Sequence, residues 1–351
     1  MAPGVGPRPR AEPFYNPAMA LDRDVGVALV RALERAPGDG WEATAATGVR
    51  GLRLLRETSG FRSFVLTEAN PRTFAVLRTN AARDPRASAL CADGVRPPPS
   101  APFGYVDVDP YGSPLPFLAG AVRATRTGGV LAVTATDMPV LAGAQPAACR
   151  RRYGASPVRG RLGPEGALRI LLMVLVREAR AQGRGLRPLL AYVGGHHVRA
   201  YVELLAAPLS DEPVGPISAE GWSGPDLGLG DPWGPFWLGP LVEPGVAGRL
   251  EVPPSAERPR QLARFLAFVR EDALPLPPFY FEGNVLASAL GLGSPPPLDE
   301  VLVALRARGY RAGRTHVRPE GLRTDAPRAE VEATVRQLAG AGQSQNARVR
   351  A

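Results

Sequence analysis

Asp107-Val108-Asp109-Pro110-Tyr111-Gly112-Ser113 closes a short apolar run and sets a carboxylate, a rigid turn and an aromatic ring side by side. That combination suits chemistry on a flat, nitrogen-bearing ring. The exocyclic amine of a nucleobase is a weak nucleophile, because its lone pair is delocalised into the ring, so a catalyst has to hold it and take its proton. A carboxylate at a strand end does both, a proline fixes the turn so that backbone carbonyls also face the amine, and an aromatic ring stacks on the base. The same heptapeptide also reads as an ordinary strand ending in an Asp-Pro turn, with Tyr111 as packing. Its surroundings decide between the two.

Upstream, short strands ending near an acid recur. Trp41 to Gly51 reads as a strand running into a small-residue turn, with Leu52, Leu54 and Leu55 on the helix that follows. Such a turn lets a ligand approach the backbone and offers free N–H groups at a helix N-terminus. Its two glycines are fewer than a G-x-G-x-x-G fingerprint needs. Phe64 to Pro71 is an apolar strand ending in Glu68, a carboxylate suited to the hydroxyls of a ribose, and Ala89 to Gly94 repeats the pattern with Asp93, suited to an adenine amine. One acid at a strand end is commonly a cap or turn residue. A series of them, followed by Asp109, argues for a ligand site. Helical spacing near Pro116 to Arg126 and the strand Gly129 to Asp137 continue the alternation. The expected fold class is therefore α/β, with right-handed parallel crossovers and a ligand at the carboxyl ends of the strands.

The ends of the chain add less. Phe14-Tyr15-Asn16-Pro17 precedes a helix carrying Val25, Ala28, Leu29 and Leu33, which Asp22 or Asp24 would cap; the aromatic pair serves either as a lid or as a hydrophobic staple. Glu165 to Ala181 reads as a packed helix, and Leu189–Val193 with Val198–Leu205 as a closing hairpin. His196 and His197, with no acidic or cysteine neighbour, read as its turn. Gly, Pro and acids make 206–233 a linker, and Gly234 to Pro240 a compact aromatic turn for interdomain packing. Helical spacing at Ala256–Leu274, Val285–Leu292 and Leu298–Arg308, then the basic stretch Gly309 to Val317, resembles a winged helix, used on nucleic acid or in protein docking. A final helix runs to about Leu338, with residues 1–13 expected to be a flexible N-terminus and 339–351 a disordered tail.

Composition narrows the class. The 351 residues allow two domains, and 45% hydrophobic content gives each a core. A formal charge of +9 favours a polyanionic partner. All 42 basic residues are Arg, a bias that dilutes Arg content as a functional signal. Two cysteines, Cys91 and Cys149, exclude a disulfide framework or a four-cysteine zinc site, and a reducing, cytoplasmic setting is expected. No apolar run is long enough for a membrane span, and Met1 to Pro13 lacks the apolar core of a signal peptide.

Taken together, the blocks resemble the tRNA guanine-26 N2-dimethyltransferases in their archaeal form. Phe14 to Asp24, Ala46 to Gly51, Asp107 to Ser113, Val133 to Asp137, Gly234 to Pro240, and Arg314-Thr315-His316 with Gly321 to Thr324 stand in the family's order. The resemblance implies a class I, Rossmann-like S-adenosylmethionine-dependent methyltransferase sheet over 14–205 and a C-terminal tRNA-binding α+β domain over 234–338 with a winged-helix-like part. It implies that Arg23 and Arg50 meet the methionine end of the cofactor, Glu68 its ribose, and Asp93 with Gly94 its adenine. By the same likeness Asp109 is the catalytic carboxylate and Phe14 and Tyr111 sandwich the guanine, which is methylated twice on N2. The chain departs from the family in carrying Glu68 where Asp is usual, Glu42 where an Asp opens the glycine turn, and no cysteine pair within 206–233, so no structural zinc is expected. Two rival readings are an amino-methyltransferase acting on DNA or another RNA, which would lack the C-terminal blocks, and a non-catalytic RNA-binding factor on the same fold.

Overall fold

The computed structural model describes residues 15–228, 230 and 232–350. Its main sheet holds β1 (Gly38–Glu42), β2 (Phe61–Glu68), β3 (Ala87–Cys91), β4 (Phe103–Val108), β5 (Thr125–Ala135), β6 (Gly185–Val193) and β7 (Val198–Leu205). The spatial order is β3-β2-β1-β4-β5-β7-β6, and only β7 runs antiparallel to its neighbours. This is the Rossmann-like methyltransferase topology, and the sequence order reverses between β1 and β4, where open α/β sheets bind ligands.

Helices α1 (Ala20–Ala32), α2 (Val49–Glu57), α3 (Pro71–Ala81), α4 (Leu115–Ala124), α5 (Met138–Leu141), α6 (Pro146–Tyr153) and α7 (Gly163–Arg180) complete this unit. Right-handed crossovers put α2 and α3 on one face and α4 on the other, where α7 packs beside it. Covered on both faces, β4 is buried along its whole length, which is why it reads as a continuous apolar run and not an alternating one. Pro71 at the first helical position and the Asn70 Oδ1, which accepts from the Arg72 and Thr73 amides, start α3 at the strand's carboxyl edge.

Residues 206–233 are not a plain linker. β8 (Val214–Ile217) pairs with β9 (Trp233–Trp237), and Trp222 packs edge-on against Phe279. Val214, Ile217, Trp222 and Leu227 are spaced among Gly and Pro too sparsely to show a period, yet Ile217 and Leu227 are buried. Beyond α8 (Pro244–Arg249), α9 (Pro259–Glu271) leads into β10 (Phe281–Glu282), α10 (Gly283–Ala289), α11 (Leu298–Ala307), β11 (Ala312–Arg314) and β12 (Gly321–Thr324). The antiparallel order β10-β12-β11, with residues 315–320 looping between the last two strands, is a winged-helix arrangement. Helix α12 (Arg328–Arg350) continues past the expected end at Leu338, since no proline interrupts its Ala-, Gln- and Arg-rich second half.

The two units meet through buried charge. Glu165 on α7 accepts from the Phe279 amide and from Arg323 of β12, each at 2.8 Å, and pairs with Arg169 one turn along. Arg323 also pairs with Asp272, on which His316 Nδ1 sits at 2.7 Å, while His316 Nε2 lies 2.7 Å from the Ala191 carbonyl of β6. Asp24 does not cap α1. Its two oxygens accept from the Glu257 and Arg258 amides at the start of α9, so a carboxylate on the first helix holds the second unit.

Candidate active site

The Asp109 loop is fixed from three sides. The Asp109 amide donates to Thr44 Oγ1 at 3.0 Å, Gly112 N donates to Thr136 Oγ1 at 2.6 Å, and the Tyr153 hydroxyl donates to Ser113 Oγ at 2.8 Å. Thr44 and Thr136 follow β1 and β5, the neighbours of β4, and Tyr153 ends α6, so the loop stands at the carboxyl edge between β1 and β5. Tyr111 projects from it, 71% exposed, an unusual position for a large ring and a fitting one for stacking on a base. Phe14, its expected partner across the guanine, lies outside the described residues.

Beneath the loop lies an ionic cluster. Arg50, from the first turn of α2, is only 6% exposed and places Nη2 2.6 Å from Asp109 Oδ2. Its Nε is 3.9 Å from both Glu42 and Asp107, and its Nη1 has no hydrogen-bond partner. Burial alone would raise the Asp109 carboxyl, but the charges of Arg50, Arg199 and His197 hold it below the ordinary carboxylate range. Glu42 goes the other way: burial and the Asp107 charge push it up to about 8, against the pull of Arg50. Asp107 accepts from the Tyr105 hydroxyl at 2.8 Å and from Arg199 at 2.5 Å, an arginine that also binds Thr134 and Tyr201. Asp107 thus anchors the sheet's interior, while Asp109 faces the edge.

The acids of β2 and β3 stand along the same edge. Glu68 Oε2 accepts from the Ala46 amide at 3.0 Å and Oε1 from the Asn70 amide at 2.8 Å, so each oxygen keeps one lone pair for another donor. Asp93 accepts from the Val95 amide, and Gly94 lies so close to β1 that a Cβ there would stand 1.9 Å from the Ala43 carbonyl. Gly48, at φ +78, turns the chain from β1 into α2 and meets the side chain of Leu77, closing this loop against α3. Arg23, on α1, donates to the Tyr15 hydroxyl and the Asn16 carbonyl, and its Nε lies 3.6 Å from Glu257. Glu68, Asp93, Gly94, Arg50 and Asp109 thus share one edge, and Arg23 ties the N-terminal lead-in over it.

His197 is not merely a turn residue. It is buried at the start of β7 with Nε2 2.7 Å from Asp22 of α1, and the Tyr192 hydroxyl donates to the same oxygen at 2.9 Å. Asp22 and His197 lie 175 residues apart in the chain, which is why the sequence around His197 shows no acid. Burial opposes ionisation of Asp22, but His197 and the nearby Arg50 charge lower its pKa. Among the described residues, no group of three or more His, Cys, Asp or Glu is placed to hold a metal, and no helix is long and apolar enough to cross a membrane.

The family model described as N2,N2-dimethylguanosine tRNA methyltransferase matches residues 8–213 and 229–336. The tRNA (guanine(26)-N(2))-dimethyltransferases of Thermococcus kodakarensis and Methanosarcina acetivorans are each 33% identical, over 90% of both chains for the first and 96% of this chain and 95% of the other for the second. The structure of Trm1 from Pyrococcus horikoshii with S-adenosyl-L-methionine superposes with a TM-score of 0.80 at 30% identity, covering 93% of this chain and 96% of that one. With its sheet order, its Asp109 loop and matches over both units, this chain belongs to the N2,N2-dimethylguanosine tRNA methyltransferase family.

Proposed function

We propose that the protein transfers methyl groups from S-adenosylmethionine to the exocyclic N2 of guanine 26 in tRNA, twice, with Asp109 holding the amine and accepting its proton. The observation that carries this reading is the Asp109 carboxylate, ionised by Arg50 at the sheet's carboxyl edge beside the exposed ring of Tyr111. The residues present fit the cofactor. Glu68 and Asp93 retain acceptor capacity for hydroxyls and an amine, and the partnerless, buried Nη1 of Arg50 suits a carboxylate. S-adenosylmethionine held there would supply an electrophilic sulfonium methyl group for transfer to guanine N2.

The protein's part is geometry and proton handling. Thr44, Thr136 and Tyr153 fix the loop, so Asp109 meets the amine without reorganisation, and Tyr111 sets the plane of the base. A low carboxylate pKa suffices, because an amine that has just gained a methyl is a strong acid when attached to a purine ring. Release of that proton to solvent returns Asp109 to the ionised form that a second transfer needs. Guanine 26 lies within a folded tRNA, so reaching Asp109 requires unpairing it, supported by backbone contacts from the Arg-rich second unit.

The test is nucleoside analysis of an unmodified tRNA transcript incubated with the protein and labelled cofactor. N2,N2-dimethylguanosine at position 26 is the expected product. Label on another base, or none despite a cofactor-induced thermal shift, would sink the assignment.

A further inference from the structure

A cleft of about 280 Å³ opens where the winged-helix unit meets the loop between α6 and α7. Its floor is apolar, formed by Leu227, Phe281 and Val285, the last of these 45% exposed. Arg159, Arg161 and Arg328 line it, and Arg318 stands 3.3 Å from the lining carboxylate Glu282. Of the three lining arginines, Arg161 pairs with Glu282 and Arg328 with Glu332, each within 2.7 Å, and Arg159 at the rim is left with its charge uncompensated. Arg159 has no ion-pair partner among the described residues and keeps its charge for a ligand. Glu282, itself buried, binds Arg161 through Oε2, while its Oε1 has no hydrogen bond.

The cleft and the Asp109 loop are linked through the segment from Asp137 to Arg159. Arg159 packs close to Gly143, six residues beyond Asp137 at the carboxyl end of β5. Between the two places runs α6 with Arg150, Arg151 and Arg152 exposed, and the last residue of that helix, Tyr153, holds Ser113 of the loop. A basic path therefore joins the candidate catalytic carboxylate to the cleft. An apolar floor and a cation at the rim are two elements by which proteins hold a splayed nucleotide: stacking and phosphate pairing.

We propose that this cleft binds a second, unpaired nucleotide of the RNA, its base on Val285 and Phe281 and its phosphate on Arg159. This rests on the reading that the protein acts on tRNA, and it assigns to the domain junction a contact separate from the guanine at Asp109. An acidic peptide would also answer Arg159, but its charged side chains would gain nothing from the apolar floor.

The experiment is equilibrium binding of an unmodified tRNA transcript to the full-length protein across a salt series, with Val285→Glu and Arg159→Ala. Val285→Glu, an exposed change on a surface helix, should weaken tRNA binding about tenfold or more, and Arg159→Ala should flatten the slope of log K against log salt by about one. Both variants should keep the wild-type melting profile and the thermal shift produced by S-adenosylhomocysteine. The cleft is excluded if both variants bind tRNA within about twofold of wild type with an unchanged slope, or if wild type binds no tRNA while an acidic peptide binds in a manner that Val285→Glu abolishes. Wild-type tRNA binding without guanine methylation would instead overturn the catalytic reading and leave the cleft standing.

Discussion

Arg50 Nη2 and Asp109 Oδ2 lie 2.6 Å apart, a hydrogen-bonded ion pair between the first turn of α2 and the loop after β4. The pair sets the protonation state of the proposed base. Asp109 would be raised by its burial, and the Arg50, Arg199 and His197 charges reverse the sign.

A base lowered in this way stays ionised as pH falls to the ordinary carboxylate range of about 4, so the acid limb of the pH–rate profile from this group should lie below that value. Asp109→Asn should cut the methylation rate by roughly 10² to 10⁴ while leaving cofactor binding near wild type. Rate measurements from pH 4 to 8 and a thermal shift with S-adenosylhomocysteine check both halves. An Asp109-dependent inflection near neutrality would show that Arg50 does not control this carboxylate.

Tyr111 makes a different kind of contribution. Its ring is 71% exposed, so Tyr111→Ala removes little core packing. Stacking on one base is worth about 1–3 kcal/mol, so the variant should lose roughly 5- to 150-fold in kcat/KM for tRNA, and Tyr111→Phe should recover most of it. Equal losses in the Ala and Phe variants would assign the effect to the hydroxyl and not to the ring.

How far these residues were legible in the sequence depends on the range of the interaction that places them. Glu68, Asp93 and Asp109 each end or follow an apolar run, and a parallel sheet with right-handed crossovers brings such ends to one edge, so local pattern plus topology suffices. The Asp107–Arg199 pair joins residues 92 apart, and Asp22–His197 joins residues 175 apart. Nothing near either partner announces the other. A charged residue inside Val198-Arg199-Ala200-Tyr201-Val202 was the one local hint, since a buried strand carries a guanidinium only when a carboxylate meets it. The 206–233 stretch misled for the opposite reason: its few buried side chains are real, but Gly and Pro outnumber them.

Glu42 should make stability depend on pH in the alkaline direction. Burial and the Asp107 charge raise its carboxyl to about 8, so the folded state favours the protonated form. A raised folded-state pKa contributes stability that is complete below the unfolded value near 4.3 and is lost as pH climbs through about 8. Glu42→Gln fixes the neutral form and keeps a hydrogen-bond acceptor for the Gly51 amide, now 3.1 Å from Oε2. Thermal melts between pH 5 and 9 should show wild type losing stability toward the alkaline end relative to the variant. Parallel curves would mean that Glu42 is ionised throughout.

The junction of the two units makes the strongest demand on a single side chain. Glu165 is fully buried and neutralises Arg169 and Arg323 while accepting from the Phe279 amide. Replacing it with Gln keeps the volume but leaves two buried guanidinium groups facing a neutral amide, with Asp272 the remaining counter-charge for Arg323. Breaking a buried pair from one side typically costs about 3–5 kcal/mol, far more than the pair itself contributes over an apolar replacement. Glu165→Gln should therefore lower the melting temperature strongly, and changing Arg169, left without its carboxylate, to Met in the same chain should restore part of the loss by removing that unpaired charge. The acid side follows from the same cluster. Burial opposes ionisation of both Glu165 and Asp272, yet Arg323 with Arg169 and Arg323 with His316 hold their pKa values down. Lowered carboxylates contribute stability that is present above their unfolded values near 4 and disappears as pH falls through the folded ones, so the junction should hold through mildly acidic pH and open only below about 4. Limited proteolysis between α9 and β10 across that range reads the opening directly. Cleavage that begins at pH 5 to 6 would mean that this cluster does not hold the units together.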